Sequence, residues 1–178
     1  ILKKLLLLTF TLTCMLLSHV QCQAADVNSV KATIVKHAIE MGVDPAIALS
    51  IARTESGFRH EARSSHGAVG VFQLMPSTAR RMGYNPYSLN ENIKAGITYY
   101  KKMYNMFGSV ELALAAYNAG PGNVKKYNAV PPYGETRRFV SKIMTDVNRQ
   151  KSNPDPAVIK ARKGVYTAQK PKAVTVKP

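Results

Sequence analysis

A compact, mainly α-helical domain is the fold this sequence predicts, and three observations predict it. Apolar residues between Asp26 and Asn148 recur at helical spacing almost throughout. The runs are separated by residues that start and stop helices, in the right order. No stretch alternates apolar and polar residues for long enough to demand a large sheet. The chain of 178 residues leaves room for one ordinary domain once its ends are set aside.

The elements follow in order. Asn28 or Ser29 can cap a first helix that carries Val30, Ile34, Val35, Ala38 and Ile39 and ends at Gly42. Asp44 before Pro45 opens a second, "AIALSIARTES", which continues to Gly57. The loop from Gly57 to Gly70 has room for a short β-hairpin. Pro76 with Ser77 and Thr78 begins a third helix that ends at Gly83, and a longer one runs from Asn90 to Phe107. Ser109 then caps "VELALAAYNA", apolar on most sides and so expected at the centre of the core, and Gly120-Pro121-Gly122 stops it. A last helix follows "VPPYGE" and carries Phe139, Val140, Ile143, Met144 and Val147.

Both ends read differently. Lys3 and Lys4 precede an apolar stretch, Leu5 to Ser18, too short to span a bilayer comfortably, so residues 1–25 are predicted to be a signal peptide cleaved after Ala24 or Ala25. Cys14 and Cys22 both lie in this segment, and its removal leaves a cysteine-free domain held by its core, in the manner of a bacterial envelope protein. No membrane span is expected after cleavage. The net charge is +15, and from Arg149 onward eight basic residues stand against the single acidic Asp155. Residues 149–178 are rich in Lys and Pro without sustained periodicity, so the domain is placed at 26–148 and the remainder is expected to be a flexible basic tail. Such a tail either adheres to an anionic surface or simply solubilises the chain.

Three polar placements in apolar surroundings carry the chemistry. Ile47, Ile51 and Glu55 are spaced i, i+4, i+8, so the carboxyl group continues the buried face of its helix. Desolvation and the negative end of the helix dipole both disfavour its charged form there, as a general acid requires. The competing reading is a glutamate that turns to solvent or pairs with Arg53 or Arg59. Gln73 lies inside an apolar run, where an unpaired amide costs about 1–3 kcal/mol, so it satisfies local backbone or faces a polar ligand. Gly67 and Gly70 let that loop turn tightly and approach a ligand closely. Tyr117 and Asn118 close an apolar helix with a hydroxyl and an amide, either as a cap or as part of a lined cleft.

"ES" at Glu55-Ser56, "GAVGVFQLMPSTA" from Gly67, "AYNAGPGNV" from Ala116 and "PPYGETRRFV" from Pro131 occur in that order. Together they resemble the soluble lytic transglycosylase family, over Val43 to about Met144. The resemblance implies a lysozyme-like domain and a cofactor-free enzyme cleaving the β-1,4 bond between N-acetylmuramic acid and N-acetylglucosamine in peptidoglycan. It implies Glu55 as the single catalytic acid and base. Ser64, Gln73, Met75, Tyr117, Asn118 and Glu135 would line the glycan cleft. Ser56 joins this substrate-binding set as a support beside the Gly67–Gly70 turn. Phe139 departs from the pattern, since many relatives carry Tyr there, and any hydroxyl contact at that place is lost.

One carboxylate suffices for a substrate-assisted route, in which the sugar's own N-acetyl group shelters the cation and its 6-hydroxyl replaces water, giving a 1,6-anhydro product. Asp44 is about three helical turns from Glu55 at roughly 1.5 Å per residue, too far to be its partner, whereas Glu61 and Glu135 approach it only through folding. Two alternatives stay open: a muramidase that hydrolyses the same bond, and a non-catalytic cell-wall binding module. No histidine forms a spaced pair of the kind metal ligation uses, and His60 and His66 are expected in a loop near the cleft mouth. Nucleic acid is a poor partner for an exported chain. The periplasm or cell envelope is the expected location, and an envelope-spanning secretion or conjugation apparatus is the partner that a short catalytic domain suggests.

Overall fold

The structure, a computed structural model, describes residues 27–168. The expected signal peptide and residues 169–178 of the expected tail therefore lie outside the described residues. Eight helices are present among those described. Helix α1 covers 27–40. It is followed by α2, Pro45–Ser56, and α3, Pro76–Arg81. Next come α4, Leu89–Phe107, and α5, Val110–Ala119. The last three are α6, Pro121–Tyr127, α7, Gly134–Ser152, and α8, Pro156–Ala168. No strand forms among the described residues. The hairpin anticipated between Gly57 and Gly70 is reduced to two isolated antiparallel bridges, Arg63 with Val69 and Val69 with Leu74.

Local chemistry sets the helix boundaries. The Asp44 carboxylate accepts the Ala46 N–H at 2.9 Å with Pro45 in the first turn, and Ser88 and Ser109 cap α4 and α5 with their hydroxyls. Two boundaries correct the sequence reading. Asn28 and Ser29 are themselves helical, inside α1 rather than ahead of it. Gly120 ends α5 as anticipated, but Pro121, which needs no N–H partner at a first helical position, immediately opens α6.

Helix α5 is the centre of the core. Ala113, Leu114, Ala115 and Ala116 are fully buried, and α5 packs against α4, α6 and α7 while α2 packs against α7. The small alanine surface lets these neighbours approach closely. A second close approach is made at Gly96 of α4, where an added Cβ would stand 2.2 Å from the Phe72 side chain, so this glycine admits the buried Phe72 ring.

The segment after Asn148 is the largest departure from expectation. Helix α7 continues through Ser152, with Gln150 buried, and α8 is helical rather than loose. Asp155 explains this. It is buried, accepts Lys31 Nζ at 3.1 Å and Arg53 Nη2 at 3.2 Å, and caps α8 by accepting the Ala157 N–H at 3.1 Å. Val158 then enters the core. A single acid among basic residues, which reads as incidental in a linear count, holds the segment to α1 and α2.

Candidate active site

Glu55 sits in the last turn of α2, half-buried, on the same side as Ile47 and Ile51. Neither proposed partner reaches it. Arg53 Nη1 is bound to Asp146 at 2.8 and 2.6 Å, and the Arg59 side chain donates to the Ser56 carbonyl at 2.9 Å. Among the described residues the Glu55 carboxyl makes no hydrogen bond or ion pair. Burial, and then the charge of Glu135, push it from an ordinary 4.5 up to about 8.

The loop after α2 forms the facing wall. Ser56, buried, donates to the Val71 carbonyl at 2.8 Å and accepts the Arg59 N–H at 3.1 Å. Its hydroxyl is thus committed within the protein, which makes it a support and removes it from the residues that meet a ligand. Asn92 of α4, fully buried, does the same work from the other side. It accepts the Phe72 N–H at 3.0 Å and donates to the carbonyls of Val69 at 3.0 Å and Pro86 at 3.1 Å, so loop backbone that has no ladder to join is still satisfied. Gly70 has φ of 79°, and a Cβ there would lie 2.5 Å from the Asn92 amide. The close approach anticipated for Gly67 and Gly70 is therefore made by Gly70 to Asn92 and not to a ligand; Gly67 serves the turn, with φ of 85°.

Gln73 resolves its own puzzle in both directions. Its Nε2 donates to the carbonyls of Ala62 at 3.1 Å and Gly70 at 2.8 Å, stabilising a left-handed backbone with φ of 44°. The carbonyl end of the amide is left for the cleft. Tyr117, at the end of α5, donates its hydroxyl to the Phe72 carbonyl at 2.8 Å, and burial raises its pKa well above the usual value. Asn118 accepts the Thr136 hydroxyl at 2.7 Å, which leaves its Nδ2 without a partner among the described residues. Thr136 is the neighbour of Glu135 in the first turn of α7, so one turn of helix supplies a carboxylate and orients an amide.

These parts enclose a cleft of about 510 Å³. Glu55, Ser64, Gln73, Met75, Tyr117, Asn118 and Glu135 all line it. Glu61 does not, which separates the two carboxylates left open by the sequence. Ser64 is also structural, its hydroxyl accepting the Ala68 N–H at 3.0 Å. His66 lines the cleft whereas His60 turns away, donating to the Tyr87 carbonyl at 3.1 Å. Sequence reasoning missed Tyr99 and Thr78 as lining residues. The Tyr99 ring is 5.2 Å from that of Tyr117, and its position on α4 opposite the end of α5 is a long-range fact that no local pattern encodes. Phe139 is buried and stacks on Tyr117 at 6.3 Å, so this departure from the motif lies behind the cleft wall. A larger hollow of about 890 Å³ beside Ser109, Arg137 and Met144 contains none of the candidate residues singled out above. Chemically, the smaller cleft offers one protonated carboxyl at neutral pH, a second carboxylate, and amide groups for a polar ligand.

Known proteins resemble this chain in sequence and fold. Residues 32–140 match the family model described as the transglycosylase SLT domain. The chain is 31% identical over 130 residues to the transglycosylase of Enterobacteria phage PRD1, a match covering 72% of this chain and 47% of that protein. It is 33% identical over 127 residues to the soluble lytic murein transglycosylase of Escherichia coli strain K12, covering 57% of this chain and 20% of that one. Among solved structures, an inactive mutant of the lytic transglycosylase Slt from Pseudomonas aeruginosa superposes with a TM-score of 0.61 at 31% identity, over 71% of this chain and 25% of that chain. The chain thus spans less than half the length of these relatives.

Proposed function

This chain belongs to the transglycosylase SLT family, and we propose that it is a lytic transglycosylase. It cleaves the β-1,4 bond between N-acetylmuramic acid and N-acetylglucosamine in peptidoglycan, leaving a 1,6-anhydro-N-acetylmuramic acid end. The observation that carries this reading is the unpartnered Glu55 carboxyl facing the cleft with its pKa raised to about 8. Protonated at neutral pH, it gives its proton to the glycosidic oxygen as the bond to C1 breaks. The N-acetyl oxygen of the substrate shelters C1. The Glu55 carboxylate then takes the proton of the sugar's 6-hydroxyl as that oxygen closes on C1. Glu55 ends protonated again and no water is consumed. The free ends of the Gln73 and Asn118 amides hydrogen-bond the sugar, and Tyr117 forms an apolar wall beside the acid.

One observation favours a second reading. Glu135 lines the same cleft and its charge acts on Glu55, so a second carboxylate is present for a hydrolytic pair. Mass spectrometry of the soluble products from purified peptidoglycan separates the readings. Anhydro ends that vanish in Glu55→Gln support the transglycosylase; reducing ends would make the protein a muramidase, and no products at all would make it a binding module. The reading includes export, because the substrate lies outside the cytoplasmic membrane, and an envelope-associated protein whose amino terminus is Ala25 or Asp26 would support it.

A further inference from the structure

Two exposed tyrosines adjoin the cleft without belonging to it. Tyr127 ends α6 and Tyr133 precedes α7, and their rings form an edge-to-face pair 6.0 Å apart, with 39% and 38% of their surfaces exposed. In such a pair only one of the four ring faces is covered by the partner. Lys126 Nζ stands over the Tyr127 ring, 5.4 Å from its centroid. The pair is held in place: the Tyr133 hydroxyl donates to Asn123 Oδ1 at 3.1 Å, the Tyr133 N–H donates to the Pro131 carbonyl at 2.8 Å, and Pro131 is buried.

Rigid aromatic surface facing solvent is costly unless something covers it. Its position says what. Gly120, at the start of α6, and Glu135, two residues after Tyr133, both line the cleft. The pair is thus joined to the cleft wall from both directions, and Tyr127 stands about 9 Å along α6 from Pro121 at roughly 1.5 Å per residue. Flat, amphipathic rings close to residues that line the cleft match the apolar faces of pyranose rings, whose edges keep their hydroxyls in water.

We propose that Tyr127 and Tyr133 form an additional subsite that stacks a sugar of a β-1,4-linked amino-sugar strand extending beyond the catalytic cleft. The inference rests on the glycan reading of that cleft. It makes the enzyme favour long strands over short fragments, by binding and not by chemistry.

The test uses the full chain carrying Glu55→Gln, so that ligands stay intact, and isothermal titration with chitotetraose and chitooctaose. The longer ligand is expected to bind more tightly, and Tyr127→Ala with Tyr133→Ala is expected to remove roughly fivefold of that gain while leaving chitotetraose binding unchanged. Tyr133→Phe, which keeps the ring and loses the Asn123 bond, is expected to retain the gain. An undiminished gain in the double alanine variant, or its full loss in Tyr133→Phe, overturns the stacking subsite alone. Failure of the Glu55→Gln chain to bind either ligand overturns the glycan reading of the cleft and the subsite with it.

Discussion

The two faces of α2 treat a carboxylate in opposite ways. On the cleft face, Glu55 has burial and a like charge but no donor, and its pKa rises to about 8. On the rear face, Asp146 of α7 is also desolvated, which by itself would raise its pKa. The hydrogen bonds from Arg149 and Ser50 and the charges of Arg53 and Arg149 outweigh that penalty and hold it below the usual carboxylate range. Ser50 donates to Asp146 at 2.7 Å, and Gln150 bridges Asp146 at 3.1 Å and Ser50 at 3.0 Å. Burial alone therefore does not decide protonation; the supply of partners does. Arg53 is the hinge of the contrast. Two residues from Glu55, it is turned by the helix toward Asp146 and Asp155, and so it is withheld from the acid that it would otherwise ionise.

The contrast can be broken most severely at the cleft face. Glu55→Gln removes the transferable proton and is expected to lower release of soluble fragments from peptidoglycan by about 10²–10⁴-fold. Retained lysis by the purified variant would mean that chemistry resides elsewhere.

At the rear face the loss is in stability. Asp146→Ala takes the acceptor from the Ser50 hydroxyl and from Arg53 Nη1, leaving Arg53 only its bond to Asp155, and is expected to cost about 2–4 kcal/mol in urea unfolding, reduced from a fully buried pair because Arg53 and Arg149 are partly exposed. The depressed pKa fixes the sign of its pH dependence. Asp146 stabilises the fold above the ordinary aspartate range, and this contribution fades as pH falls through the folded value. A difference between wild type and Asp146→Ala that persists unchanged at low pH would contradict the charge network.

Glu55 has the opposite sign. Its folded pKa lies above the unfolded one, so the folded state holds an extra proton between about pH 4.5 and 8, and stability declines as pH rises through that window. Glu55→Gln escapes the cost and should be more stable than wild type at pH 9, by on the order of 1–3 kcal/mol after allowing for water in the cleft. Equal urea midpoints at that pH would show that Glu55 is fully hydrated.

The smallest effect sharpens the electrostatic picture. Glu135→Gln removes the like charge that raises Glu55, so the alkaline limb of the kcat/KM profile, set by loss of the Glu55 proton, is expected to move to lower pH by up to about one unit. An unmoved limb would assign the whole shift to desolvation.

Much of this was legible before folding. The caps at Asp44 and Ser109 and the stop residues define most helices because they act within one turn. The i, i+4, i+8 series that ends at Glu55 points it inward for the same reason. Where the reading failed, the deciding partner was remote. Asp155 looked incidental in a basic tail until Lys31 and Arg53, distant in sequence, were beside it. Gly70 looked like an approach to a ligand until Asn92 filled the space.

By itself, then, the sequence determined the helical class, most helix limits and the acid at the end of α2, since backbone periodicity and capping are short-range. Only the tertiary structure decided which polar groups remain free. Each buried donor and acceptor must find a partner, and those of Ser56, Asn92 and Arg53 are satisfied across the fold. Glu55 keeps its proton because burial and the charge of Glu135 disfavour its ionised form, while Arg53 and Arg59 are committed elsewhere.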